Sequence, residues 1–293
     1  MTVFDPQYGA LVPLAHKVAR VTAPNKGPFT GAGTNTYILG DRTVMVVDPG
    51  PANTDHLDAL MKAIGGRPVS HILITHTHND HVGGLEAFQS AVTAPTAAEG
   101  PHRTARPLKA GETNPFQSSS DVNFVPDIAL ADGDEVDNGD VTVTAIATPG
   151  HTANHLAFSI GEGCLTGDHV MGWSTTVIAP PDGSMADYLT SLDTLSRHRH
   201  AVYWPAHGDK IADPEKVVSA MRSHRLMRER AIMECLSRGE TTIPPIVETL
   251  YGKIDARLKP AAGLSVLAQL EKLESEGRAA SQGLGATALW RLT

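Results

Sequence analysis

The chain has only two cysteines in 293 residues, Cys164 and Cys235. That is too few for a disulfide framework, and a pair so placed reads as two reduced thiols. Nor is there an apolar run approaching the roughly 20 residues that cross a bilayer. The amino terminus, Met1-Thr-Val-Phe-Asp-Pro-Gln-Tyr8, has neither a basic start nor the apolar stretch of a secretory signal. Together these absences point to the cytoplasm and away from a membrane. Positive charge is also short: 24 Lys and Arg stand against 32 Asp and Glu, a net of −8. The deficit is uneven, since residues 222–293 hold 11 Lys/Arg against 8 Asp/Glu, leaving 13 against 24 for residues 1–221. A general nucleic-acid binder presents a basic face instead. With 41% hydrophobic residues the chain can bury an ordinary core, and its length suits one large domain with a small companion.

Between Ile74 and Gly84 the sequence reads Ile-Thr-His76-Thr-His78-Asn-Asp80-His81-Val-Gly-Gly, four metal-competent side chains within six residues. Neutral imidazole and carboxylate are the donors that divalent zinc takes. The lead-in, Val69 to Thr75, is apolar and rich in β-branched residues, as a buried parallel strand should be. The four donors therefore fall where a strand runs out at the carboxyl edge of a sheet, the place where open α/β folds put their sites. A histidine-rich polar turn is the bland alternative. Four donors in so short a space at a strand end favour a metal site.

Further donors recur in similar settings. His151 follows Thr148-Pro-Gly150 after the apolar run Val141 to Ile146, and Asp168 follows Leu165-Thr-Gly167 after Leu156 to Ile160. His207 sits in Tyr203-Trp-Pro-Ala-His-Gly208, and Asp48 closes Val44 to Val47 ahead of Pro49-Gly50. Each stands beside Gly or Pro, where a tight turn can hold a side chain rigidly.

The order His-x-His-x-Asp-His, then a lone His, an Asp and a His, resembles the metallo-β-lactamase superfamily over roughly residues 34–210. The resemblance implies an α/β fold, a four-layer αβ/βα sandwich with a dinuclear site at one edge. Carried over by position, it implies His76, His78 and His151 around one zinc. Asp80, His81 and His207 would hold a second, with Asp168 bridging the two. Asp48 matches the aspartate that orients the ligand loops without touching metal. Iron or manganese suit the same nitrogen and oxygen donors. The donor set has no cysteine of the antibiotic-hydrolysing type, and the helical glutathione-binding domain of glyoxalase-II-type members has no counterpart. The implied chemistry is a metal-bridging hydroxide that attacks a carbonyl or phosphorus, with Asp80 and Asp168 fixing the nucleophile. His155 and His169 read either as proton donors to a leaving group or, preferably, as structural hydrogen-bonding partners.

The remaining segments supply walls and a second module. Before Tyr37-Ile-Leu39, the loop Gly31 to Thr36 is small enough for close backbone approach, and His16 to Thr22 reads as a strand. Leu57, Leu60, Met61 and Ile64 have helical spacing suited to core packing. Residues 94–131, rich in Pro, Gly and Ser, read as a long loop over the site, where Arg103 and Arg106 are candidates to meet a substrate carboxylate or phosphate. A second lid candidate runs from Trp173 to Asp182, with Trp173 a candidate pocket residue and His169 a further substrate contact. Beyond Asp209 helices are expected over 214–235, 243–251 and 260–276, the last with a Leu264, Leu267, Leu270, Leu273 stripe, followed by a hairpin-like tail over 278–292.

Three helices and a β-wing resemble a winged-helix module, which one subgroup of the superfamily, including RNA-cleaving members, carries at its carboxyl end. The expected division is a catalytic domain over 1–213 and a winged-helix domain over 214–293. The third helix offers Glu271, Lys272, Glu274 and Glu276, so docking against the catalytic domain or a second copy of the chain suits it better than entering a DNA groove. Taken together, the expectation is a dinuclear-zinc hydrolase cleaving an ester or thioester of a small acyl substrate. A phosphodiesterase acting on single-stranded RNA is the alternative, and a non-catalytic nucleic-acid regulator stands third.

Overall fold

The computed structural model describes residues 4–284 and 287–293. Residues 1–3 of the terminus read above for a secretory signal, and 285–286 of the expected tail hairpin, lie outside the described residues. Seven strands form the first sheet in sequence order: β1 (Val12–Ala15), β2 (Val18–Thr22), β3 (Asn35–Leu39), β4 (Val44–Val47), β5 (Val69–Leu73), β6 (Thr96–Ala98) and β7 (Ile128–Ala129). The first four are antiparallel neighbours, whereas β4 through β7 run parallel. The second sheet orders β12 (Val202–Pro205), β11 (Gly163–Gly167), β10 (Leu156–Ile160), β9 (Thr142–Ala147) and β8 (Glu135–Asp137), antiparallel except for the β11–β12 pair.

Alternation of side chains along each strand explains the layering. In β4, Met45 and Val47 join Tyr37, Leu39, Phe158, Leu165 and Trp204 in a core between the sheets. Val44 and Val46 point the other way, onto α1 (Thr54–Ile64) and α3 (Leu85–Val92) through Leu60, Ile64 and Phe88. The second sheet packs its outer face, through Ala157, Cys164 and Tyr203, on Leu189 and Leu192 of α4 (Met185–His198) and on Val218 and Met221 of α5 (Pro214–Ser237). The layers run helix, sheet, sheet, helix, the expected sandwich. Helix ends obey local chemistry: Asn53 Oδ1 accepts from the His56 amide at 2.8 Å to start α1, and Gly65, at φ 64°, ends it.

The strands β1 and β8 were not expected from the sequence, and two expected segments differ in extent. The expected first strand begins two residues late, because Lys17 adopts φ 59° in the turn between β1 and β2. The 94–131 stretch is not loop throughout: β6 and β7 at its two ends are bound into the sheet, each three residues or fewer and so too short to show periodicity.

The carboxyl-terminal helices α6 (Ile243–Tyr251) and α7 (Lys259–Ser275) fold with the hairpin of β13 (Ala279–Gln282) and β14 (Leu289–Leu292) around Trp290, Leu270 and Leu273. Helix α5 belongs to both parts, since Ile232, Cys235 and Leu236 at its far end enter this terminal core. The terminal helices also dock on the sandwich, through Ala268 of α7 in the α4–α5 core and Glu271 on Arg106. Both cysteines are buried and unpaired. Among the described residues no helix is long and apolar enough to cross a membrane.

Candidate metal centre

All the expected donors fall at carboxyl ends of strands on one edge of the sandwich. His76 follows β5, and the short helix α2 (Asn79–Val82) turns Asp80 and His81 back toward it. His151 follows β9, Asp168 follows β11, and His207 follows β12. Two glycines make the close approaches that these turns need. Gly150, at φ 141°, lies so near helix α4 that a Cβ would fall 2.4 Å from the Tyr188 Cα; at Gly167, φ 50°, it would fall 2.6 Å from the His155 ring.

His76, His78 and His151 form one buried group. His76 Nε2 and His151 Nε2 each stand 3.0 Å from His78 Nδ1. Their outer nitrogens are committed elsewhere. Thr75 Oγ1 donates to Asp48 Oδ2 at 2.7 Å and so accepts from His76 Nδ1 at 3.0 Å, while His151 Nδ1 donates to the Val177 carbonyl at 2.8 Å. The inward Nε2 atoms of His76 and His151 therefore carry lone pairs, facing His78 at hydrogen-bond distance. Burial, helped by the neighbouring rings, pushes His76 far below the ordinary histidine value and His78 down to about 3; burial also lowers His151. These rings stay neutral.

Asp80, His81 and His207 form a second group, and His76, His81 and Asp168 a third that links the two. His207 Nε2 lies 3.2 Å from Asp80 Oδ2 and 3.2 Å from Asp168 Oδ1, and His81 Nε2 lies 3.5 and 3.6 Å from the same two oxygens. Asp168 Oδ2 is 3.6 Å from His151 Nε2, so this carboxylate faces both groups. Here charge outweighs burial. Burial works against protonated rings, yet Asp168 and Asp80 raise His207 to about 10, and with Asp48 they hold His81 well above its ordinary value. Burial likewise works against the Asp80 and Asp168 carboxylates, but the adjoining His81 and His207 hold both below the usual range.

Outer contacts fix each ring. Asp48, at φ 52°, accepts from the Thr75 amide at 2.8 Å and from His81 Nδ1 at 2.8 Å. His207 Nδ1 donates to the Gly33 carbonyl at 3.1 Å. His155 donates through Nδ1 to Thr148 Oγ1 at 2.8 Å and accepts the Asp168 amide at Nε2, 3.1 Å away. It thus holds the Asp168 backbone and has no free proton to give a leaving group. The donor set fits divalent metal on the structure's own terms: His81 Nε2 and Asp168 Oδ1 are buried without a hydrogen-bond partner among the described residues, and the inward ring nitrogens are turned on one another.

A cavity of about 380 Å³ opens on this cluster, walled by Phe29, Phe116, Met171 and Val177 as well as by the donors. Phe116 stands with its ring centroid 5.9 Å from that of His78. Segment 116–119 thus does form part of a wall over the site, as the long-loop reading expected, and so do Thr176 and Val177 of the second lid.

The four expected substrate contacts are placed differently, for none lines this cavity. Arg103 pairs with Glu99 and donates to the Ala153 carbonyl. Arg106 is held between Glu112 and Glu271. Trp173 lies on Gly31 beside a separate cavity that includes Arg257. His169 packs on Tyr188 with centroids 4.5 Å apart, and burial lowers it to about 3. Conversely, sequence reasoning missed Thr75, Thr176 and the carbonyls of Gly33 and Val177. Only the small-residue loop at 31–36 gave a signal, for Gly33.

Comparison with known proteins agrees with this geometry. Residues 29–207 match the metallo-beta-lactamase superfamily, and residues 242–290 the beta-lactamase associated winged helix domain. A beta-lactamase-like protein 2 homolog of Caenorhabditis elegans is 30% identical across 90% of this chain and 86% of its own. An atrochrysone carboxyl ACP thioesterase of Aspergillus chevalieri is 29% identical over 81% of this chain and 74% of its own. The crystal structure of a beta-lactamase domain protein from Burkholderia ambifaria superposes with a TM-score of 0.80 at 20% identity, covering 99% of this chain and 95% of that one. The chain belongs to the metallo-beta-lactamase superfamily, a hydrolase family that binds divalent metals, and carries that superfamily's associated winged-helix domain.

Proposed function

We propose that this chain is a dinuclear metal-dependent hydrolase, with zinc the first choice of cation, that cleaves the ester or thioester bond of a small acyl substrate. His76, His78 and His151 would hold one cation, Asp80, His81 and His207 the other, with Asp168 between them. Bound cations supply Lewis acidity and bring the pKa of water toward neutrality. The chain's own part is positional. Asp48, the Gly33 carbonyl and the Val177 carbonyl each fix one imidazole through its outer nitrogen. His155 holds the Asp168 backbone, and Phe29 and Phe116 keep the reacting end of the substrate away from bulk water.

The observation that carries carbon over phosphorus is the cavity wall. Among the described residues that line it there is no Lys or Arg, whereas Phe29, Phe116, Met171 and Val177 offer apolar surface. A phosphodiester substrate needs cations for its backbone. The thioesterase relative from Aspergillus chevalieri supports the same choice.

The test is a hydrolysis screen with purified protein, zinc supplied and then chelated, across thioesters, esters, lactones and single-stranded RNA. A thioester or ester should be cut, with loss of activity on chelation and in His76→Ala. RNA cleavage well above every acyl substrate, lost in the same variant, contradicts the proposal.

A further inference from the structure

A groove of about 710 Å³ runs between the sandwich and the carboxyl-terminal helices, distinct from the metal cavity. Val247 of α6 and Leu264 and Leu267 of α7 form one side; Thr113, Pro115 and Pro180 form the other. Two segments of chain wall both voids. In 111–119, Thr113 and Pro115 face the groove, while Phe116 and Ser118 face the metal cavity. In 176–180, Val177 faces the cavity and Pro180 the groove. The change of side occurs between the consecutive residues Pro115 and Phe116, whose Cα atoms are about 3.8 Å apart.

The groove is held open by design of its edges. Arg106 donates to Glu271 of α7 at 2.6 and 2.9 Å and to Glu112 of the facing loop at 2.7 Å, which sets the spacing between loop and helix. Gly263 stands inside α7, where glycine is less favourable than alanine. A Cβ there would meet only Ile243 at 3.6 Å and Val247 at 3.9 Å, ordinary contacts, so the backbone does not require glycine and its absent side chain leaves room in the groove. Charge then selects the occupant. Among the described lining residues Lys259 is the one cation, and Glu248 holds it at 2.6 Å. A phosphate finds no free partner there, whereas a hydrocarbon chain finds Val247, Leu264 and Leu267.

We infer that this groove binds the apolar acyl chain of the substrate while the scissile carbonyl lies in the metal cavity. The inference rests on the acyl-hydrolase reading for the carbonyl's place. Each methylene that enters the groove should raise kcat/KM about fourfold, until the groove is full.

The experiment uses the full-length, zinc-loaded chain and a thioester series from acetyl to dodecanoyl on one thiol. Wild type should show the rise with length. Gly263→Leu, which fills the groove, should lower the dodecanoyl-to-acetyl ratio of kcat/KM at least about tenfold, mainly through KM. Gly263→Ala should melt higher than wild type, which checks that the helix tolerates side chains at this position. A flat length profile in wild type, or an unaltered ratio in Gly263→Leu, overturns the inference while leaving the acyl-hydrolase reading standing. If neither this thioester series nor the matching ester series is cut, that reading fails, and calorimetry with dodecanoate decides the groove. Binding with a negative heat-capacity change, lost in Gly263→Leu, supports it, and no binding overturns it.

Discussion

The His76–His78–His151 group and the Asp80–His81–His207 group share Asp168, yet they are prepared for a cation in opposite ways. The first is made of rings that burial keeps neutral, His78 down to about 3. Its rings carry no second proton at neutral pH, so none has to leave as a net charge when a cation binds. In the second, carboxylates hold protons on the rings, with His207 up to about 10. There the protons do, in the metal-free chain, what a cation would do when bound. A donor set of nearly the same residue types thus differs in proton content because of where the carboxylates stand: Asp80 Oδ2 and Asp168 Oδ1 lie at 3.2 Å from His207 Nε2, while His76 has rings for its nearest neighbours.

Removing the shared carboxylate should have the largest effect. Asp168→Ala leaves two groups with nothing between them, so turnover should disappear while circular dichroism still shows the native fold. Retention of more than about a tenth of the wild-type rate contradicts the linking role, since a metal-centred hydrolase owes far more than tenfold to its cations. Asp48→Ala should be intermediate and lopsided. Asp48 touches His81 directly and His76 only through Thr75, so metal affinity should fall about 10- to 100-fold, more in the acidic group than in the histidine group. Equal losses at both would mean that Asp48 acts on the whole edge, not on one ring. Arg103→Ala should do least. Arg103 pairs with Glu99 near the surface and lines neither cavity nor groove, so acyl turnover should change less than about twofold, as for exposed ion pairs generally.

The donors were legible because His76, His78, Asp80 and His81 crowd into six residues at one strand end, while His151, Asp168 and His207 each sit at a strand end beside Gly, where local sequence alone holds a side chain in place. Parallel strands that bring those ends to one edge follow from the apolar runs preceding them. What local sequence hides is partnership across distance. Arg106 looks like a free cation until Glu271, 165 residues onward, takes it. His169 looks like a neighbour of the site because it adjoins Asp168, but its ring turns onto Tyr188. Backbone acceptors such as Val177 and Gly33 have no side-chain signature, so the groups that orient His151 and His207 emerge only from the fold. The strands β6 and β7 were hidden by their brevity; helix α5 was expected, but not that its first half packs in the sandwich and its far end in the terminal core.

The most direct measurement is a calorimetric zinc titration of the metal-free chain near pH 7.5, repeated in buffers of different ionisation enthalpy to count protons. His207 is protonated below about pH 10, and the carboxylates of Asp80, Asp168 and Asp48 hold His81 protonated well above the ordinary histidine range, so filling the acidic group must expel those protons, and its affinity must climb as pH rises; the rings of the histidine group are neutral and have no such proton to lose. The account predicts two equivalents per chain, one binding with almost no proton release and the other releasing about two protons. A single equivalent, or two that release protons equally, would contradict it.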